Sequence, residues 1–157
     1  MLNSGPMSPA APVAIIDTLN ALLEAERGSV FRFMGEGSPY LSRATAEVRR
    51  PLQEMVDTTQ RHVIELAELI ESLGGHPSPC LMVQPEEQFL AFLSLKFLLP
   101  KLVHEKELTL RRYENALSSL RDAPPQVRAV LSAHLAEHRA QLEVLQRAAD
   151  EVIRASK

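Results

Sequence analysis

The chain has 157 residues, 45% of them hydrophobic, with a formal net charge of -3 and a single cysteine. That length buries one core without disulfides or a structural metal, and the mild negative charge gives no general attraction for nucleic acid or an anionic membrane. Cys80, in His76-Pro-Ser-Pro-Cys80, has no disulfide partner and no metal-ligand spacing, which reads as a cytoplasmic protein in a reducing compartment.

Residues 1–12 are rich in Pro, Ser, Gly and Ala and lack the basic and apolar regions of a secretory signal, so they read as a flexible tail. Residues 13–157 read as one all-α domain of four helices. Helix 1 is expected from about Val13 to Met34, stopped by Gly35-Glu-Gly-Ser-Pro39. Helix 2 starts near Tyr40 with a kink at Pro51, or else carries Pro51 in its first turn, and it stops at Gly74-Gly75 before Pro77. Helix 3 is expected from Pro85-Glu86-Glu87, bent or split at Pro100, to Arg121-Asp122. Helix 4 begins at Pro124-Pro125 and continues almost to Lys157. The most apolar run, Phe89 to Val103, is interrupted by Lys96, Pro100 and Lys101 and is shorter than the roughly 20 residues of a membrane span. It reads as a core helix. With no phosphate loop, strand run or internal repeat, nucleotide folds and solenoids are set aside.

Each helix carries an apolar stripe at steps of three and four, and a polar residue interrupts each stripe near its middle. The stripes run Ile16, Leu19, Leu23, Glu26, Val30, Phe33; Met55, Thr59, His62, Leu66, Leu69, Leu73; Leu99, Val103, Lys106, Leu110, Tyr113, Leu117; and Leu131, Leu135, His138, Leu142, Leu145, Ala149, Val152. Burying an unpaired ionisable group is costly, so side chains so placed pair with one another, bind a metal or meet water. Register also selects the topology. His62 lies 12 residues before Gly74, whereas Lys106 lies 20 or so after the start of helix 3. A hairpin between helices 2 and 3 would therefore separate them by roughly 12 Å. Parallel helices joined by a long crossover bring them to one level.

At this point the residues resemble a family. Leu19-Asn-Ala-Leu-Leu-Glu-Ala-Glu26 is similar to the first-helix pattern of bacterioferritins, whose last glutamate binds iron; His62, 36 residues later, resembles the histidine of the second-helix E-x-x-H, and Leu135-Ala-Glu-His138 resembles the second E-x-x-H. The resemblance implies a ferritin-like four-helix bundle with a long crossover between helices 2 and 3. The sequence departs from it where the remaining ligands belong: Thr59 and Leu135 replace the glutamates of both E-x-x-H motifs, and Lys106 stands at the helix 3 glutamate position. Two bridged cations need about four carboxylates, so a complete di-iron ferroxidase site is not expected.

Three readings follow. The favoured one is a degenerate site, with a Glu26–Lys106 pair and neutral histidines, in a non-catalytic protein of structural or partner-binding role. The alternative is one Fe, Mn or Zn ion on Glu26, His62 and His138, with His134 as a further ligand, in a metal-binding protein or oxidoreductase. A hemerythrin-like site is suggested by His134 and His138, but Leu66 stands where its partner glutamate belongs. Phe89 to Leu99 is apolar on nearly every side, which predicts a homodimer through the first half of helix 3, with no nucleic-acid or membrane partner.

Overall fold

The computed structural model describes residues 10–31, 46–79 and 95–155. Four helices account for most of them: α1 Ala10–Arg27, α2 Ala46–Ser72, α3 Leu95–Ser119 and α4 Pro125–Ala155. The architecture is an all-α four-helix bundle in which α1 packs on α2, α3 on α4, and the two pairs meet along α1–α3 and α2–α4. No helix among the described residues is long and apolar enough to cross a membrane.

Helix ends follow local chemistry. The Gly75 N–H donates to Ile70 O and the Gly74 N–H to Glu71 O, both at 3.0 Å, with Gly74 at φ 83°. This is a Schellman stop, which requires a left-handed residue at that position. The chain then leaves α2 tightly against α1, where a side chain at Gly75 would stand 2.8 Å from Ile16 Cγ2. Pro124 O accepts from Val127 N at 3.0 Å and Arg128 N at 3.2 Å, with Pro125 in the first turn of α4, where its missing N–H costs nothing. The Arg128 guanidinium donates to Leu117 O and Leu120 O at 3.0 and 2.8 Å, satisfying carbonyls at the end of α3 that have no intrahelical donor.

Several boundaries differ from expectation. α1 begins at Ala10, inside the stretch read as a tail, and ends at Arg27 rather than Met34. Gly28 is a poor helix former, and Ser29 Oγ accepts from the Phe31 N–H at 3.2 Å, starting a new helical turn. α2 takes Pro51 within its first two turns, and α3 runs unbroken through Pro100. The expected beginnings near Tyr40 and Pro85, and the segments Phe89 to Ser94 and Cys80 to Val83, lie outside the described residues.

The core divides in two. One cluster joins Val30 and Phe31 after α1, Val48 to Val56 at the start of α2, Leu98 to Leu102 at the start of α3, and Leu145 and Ala149 late in α4. The other joins Ile15 to Leu23 early in α1, Leu66 to Ile70 late in α2, Tyr113 to Leu120 late in α3, and Val127 to Leu135 early in α4. α2 and α3 therefore run parallel, so the end of α2 and the start of α3 lie at opposite ends of the bundle. The described beginning of the connection lies along α1: Asn20 Nδ2 donates to His76 O at 3.1 Å, Ser78 N–H donates to Asn20 Oδ1 at 2.7 Å, Ser78 Oγ donates to Glu24 at 3.0 Å, and Arg27 donates to Ser78 O. The parallel pairing of α2 and α3 expected from register is present, and the polar layer sits between the two clusters.

Gly74→Ala tests the stop of α2. No atom lies within 4 Å of the added Cβ, so the cost is purely conformational, and denaturant unfolding should show a loss of about 1–2 kcal/mol.

Candidate metal centre

Glu26, His62, Lys106 and His138, one from each stripe, are buried at a common level, joined by His134 and Tyr113. Glu26 stands in the last turn of α1. Its Oε2 meets His62 Nδ1 at 3.0 Å, His138 Nε2 at 2.8 Å and the Tyr113 hydroxyl at 2.6 Å. Burial pushes the Glu26 carboxyl up, but hydrogen bonds and charge from His138 and His62 win and hold it far below the usual carboxylate range.

Lys106 does not touch Glu26; among the described contacts no salt bridge joins them. Its Nζ lies 3.1 Å from His138 Nδ1 and donates to Gln141 Oε1 at 2.8 Å, with the Phe31 ring 4.2 Å away. The expected ion pair is thus relayed through an imidazole. An ammonium only donates, so His138 Nδ1 accepts from Lys106 and its Nε2–H points at Glu26. Burial brings the Lys106 ammonium down to about 8 against the favourable charge of Glu26, and burial likewise lowers His138.

His62 and His134 lie face to face, ring centroids 3.7 Å apart and planes 18° from parallel. Both run outward to the α2–α4 face. His62 Nε2 meets Glu137 Oε1 at 2.9 Å and His134 Nε2 meets Glu65 Oε1 at 2.7 Å, while His134 Nδ1 lies 3.1 Å from the Tyr113 oxygen. Arg61 ties the two carboxylates together, bonded to Glu137 Oε2 and 3.5 Å from Glu65 Oε1. Partial burial raises Glu137, but Arg61 and His62 together bring it down to about 2. Burial and the neighbouring His62 lower His134 to about 4.

Of these residues Tyr113, Glu65, Glu137, Arg61 and Gln141 carried no site assignment in sequence. Tyr113 lay on an apolar stripe where a hydroxyl has to find a partner, and that was the available signal. Thr59 turns its hydroxyl back to Met55 O at 2.9 Å, and Leu135 belongs to the apolar core. Neither replaces a missing ligand. His104 is exposed, and His76 bonds to Asn20 through its backbone oxygen. A groove of about 450 Å³ on the α1–α3 face is lined by Thr18, Ala21, Leu22, Arg112, Asn115, Ala116 and Ser119, none of which belongs to the polar layer.

One donor atom from each of Glu26, His62 and His138 lies within 4.8 Å of the others, a spread that a single ion with bonds of about 2.0–2.2 Å can gather after small side-chain rotations. The arrangement of the helices is similar to a solved structure, a dodecameric thioferritin described as the bacterioferritin-related protein from Bacteroides fragilis, with a TM-score of 0.72 over 92% of this chain and 89% of that one at 21% identity. The fold is ferritin-like. No protein-family model and no curated protein matches the sequence.

The sign of the pH dependence follows from His134. The folded state resists protonation until about pH 4, whereas the unfolded histidine takes its proton near 6.5. Below 6.5 the unfolded chain therefore binds more protons at this residue, so the contribution of His134 is complete above that pH and declines toward 4 by about 2–3 kcal/mol. Denaturant melts across this window should show the decline, and His134→Gln should make it shallower, with the remainder coming from His138.

Proposed function

We propose that this ferritin-like bundle holds a single first-row divalent ion, Fe(II), Mn(II) or Zn(II), on Glu26, His62 and His138. The observation that carries the reading is the convergence of one carboxylate and two imidazole nitrogens, all buried, within 4.8 Å. The set suits such ions and leaves coordination positions open. His62 is oriented as ligating histidines usually are: with Nδ1 on the ion, its Nε2–H donates to Glu137, which Arg61 holds in place. A bridged pair of ions is disfavoured, because Thr59, Lys106 and Leu135 remove the carboxylates that would balance the charge.

A second reading rests on Lys106. Its contact with His138 Nδ1 fixes the tautomer whose Nε2 carries the hydrogen, and that nitrogen cannot coordinate an ion. In this reading the layer is a degenerate site closed by hydrogen bonds, and the protein is non-catalytic, with a structural or partner-binding role. Elemental analysis and Co(II) titration separate the two. The metal reading expects one ion per chain, lost in Glu26→Gln. It also expects Lys106→Glu, which gives the His138 Nδ1–H an acceptor, to tighten binding roughly 10- to 100-fold. The closed-layer reading expects no binding by the parent protein, and expects Lys106→Glu to lower the melting temperature because a second buried negative charge then replaces the cation whose charge favours Glu26.

Assembly belongs to the same proposal. The Bacteroides fragilis protein is dodecameric, and Phe97, at the start of α3, is 62% exposed here. A two-fold contact through this half of α3 would cover it. Light scattering should then give a dimer or a multiple of one, and Phe97→Glu should lower the mass; an unchanged mass removes the interface. A cytoplasmic location is proposed from the single Cys80.

A further inference from the structure

The oxygen of Tyr113 stands closer to Glu26 Oε2 than either imidazole does: 2.6 Å, against 2.8 Å for His138 Nε2 and 3.0 Å for His62 Nδ1. The three groups come from three helices, α3, α4 and α2, and all aim a hydrogen at one point. With those hydrogens gone, the same three atoms aim lone pairs at it, and each is within about 1 Å of a metal–ligand bond length of about 2.0–2.2 Å. Tyr113 is 1% exposed, so its oxygen is shielded from bulk water.

Charge selects the ion that uses this oxygen. Glu26 is the one buried carboxylate among the described residues. A divalent ion on it leaves a single net positive charge. A trivalent ion leaves twice that in an interior which already contains Lys106, and unbalanced charge is costly there. A phenolate at Tyr113 returns the trivalent ion to the charge balance of the divalent one. Burial and the charge of Glu26 keep the Tyr113 phenol protonated well above its usual range in the layer as it stands; a cation at Glu26 cancels that charge and reverses the preference. His134 is placed to support the phenolate, because its Nδ1 lies 3.1 Å from the Tyr113 oxygen and can carry the ring hydrogen. Glu65, 39% exposed at the other ring nitrogen, can then turn toward Arg61.

We infer that Tyr113, as the phenolate, is a fourth ligand to a ferric ion held with Glu26, His62 and His138, so that the layer accepts iron in its trivalent as well as its divalent state. The inference rests on the single-ion reading above and adds no second ion. The step balances without a change of oxidation state: the Tyr113 O–H bond breaks, an oxygen–iron bond forms, and the proton leaves to solvent. Tyrosine oxygen serves as an iron ligand in other proteins.

Ferric nitrilotriacetate added to the metal-free chain tests this, because phenolate-to-iron charge transfer gives a visible absorption band that imidazole and carboxylate ligands do not. The parent chain should bind one iron and show the band. The sequence has two tyrosines, Tyr40 and Tyr113. Tyr113→Phe should lose the band while still binding one Co(II) per chain, and Tyr40→Phe should keep it. A parent chain that binds Co(II) but shows no band with ferric nitrilotriacetate, or a band that survives Tyr113→Phe, overturns the fourth ligand and leaves the three-residue site standing. A chain that binds neither probe removes both readings. If Tyr113→Phe does not fold, resonance Raman excited in the band of the Tyr40→Phe chain decides, since Tyr113 is then the one tyrosine present: phenolate ring modes support the ligand, and a band without them refutes it.

Discussion

One carboxylate oxygen organises this bundle. Glu26 Oε2 receives hydrogen bonds from His62 of α2, Tyr113 of α3 and His138 of α4, so a single atom of α1 is tied to every other helix. Hydrogen bonds to a charged acceptor contribute about 1.5–3 kcal/mol each, whereas a buried carboxylate without partners is among the most costly groups a fold can contain. Glu26 also sits in the last turn of α1, where the negative end of the helix dipole opposes an anion. Side-chain donors have to overcome both penalties, which explains why so many polar residues are recruited into an otherwise apolar interior.

The polar layer also sets the register of the helices. Two apolar clusters fill the ends of the bundle, and apolar packing alone tolerates small slides of one helix past another. A displacement of one residue along any helix would break hydrogen bonds between buried groups and leave each partner unsatisfied. The layer therefore supplies positional specificity, while the clusters supply most of the stabilisation through burial. The crossover adds a further constraint from outside, because Asn20, Glu24 and Arg27 bind the segment at His76 to Ser78.

Much of this was legible in the chain. Periodicity placed Glu26, His62, Lys106 and His138 on core stripes, and counting residues from the helix stops brought them to one level and favoured a crossover over a hairpin between helices 2 and 3. Periodicity gives height along a helix and an approximate facing direction; it does not say which neighbour a long side chain will reach. Hence the contact of Lys106 with His138 in place of Glu26 was not readable. Glu65 and Glu137 lie at the stripe margins, where a charged residue is ordinarily solvated, and only the depth of the two imidazoles behind them gives them a role. The break after α1 was missed because a lone Gly28 is often tolerated within a helix; the signal was Ser29 beside it, whose hydroxyl begins the next turn.

That break has a consequence for how the layer is enclosed. Glu26 is positioned by α1 itself, but Phe31, whose ring covers the Lys106 ammonium, lies beyond Gly28 and Ser29 and packs into the opposite apolar cluster. The anion and the cover over the cation thus lie on either side of the Gly28–Ser29 break, which the Ser29 N–H bridges by donating to Glu26 O at 3.2 Å. The ring over the ammonium therefore shields the contact that keeps the His138 Nε2–H aimed at Glu26.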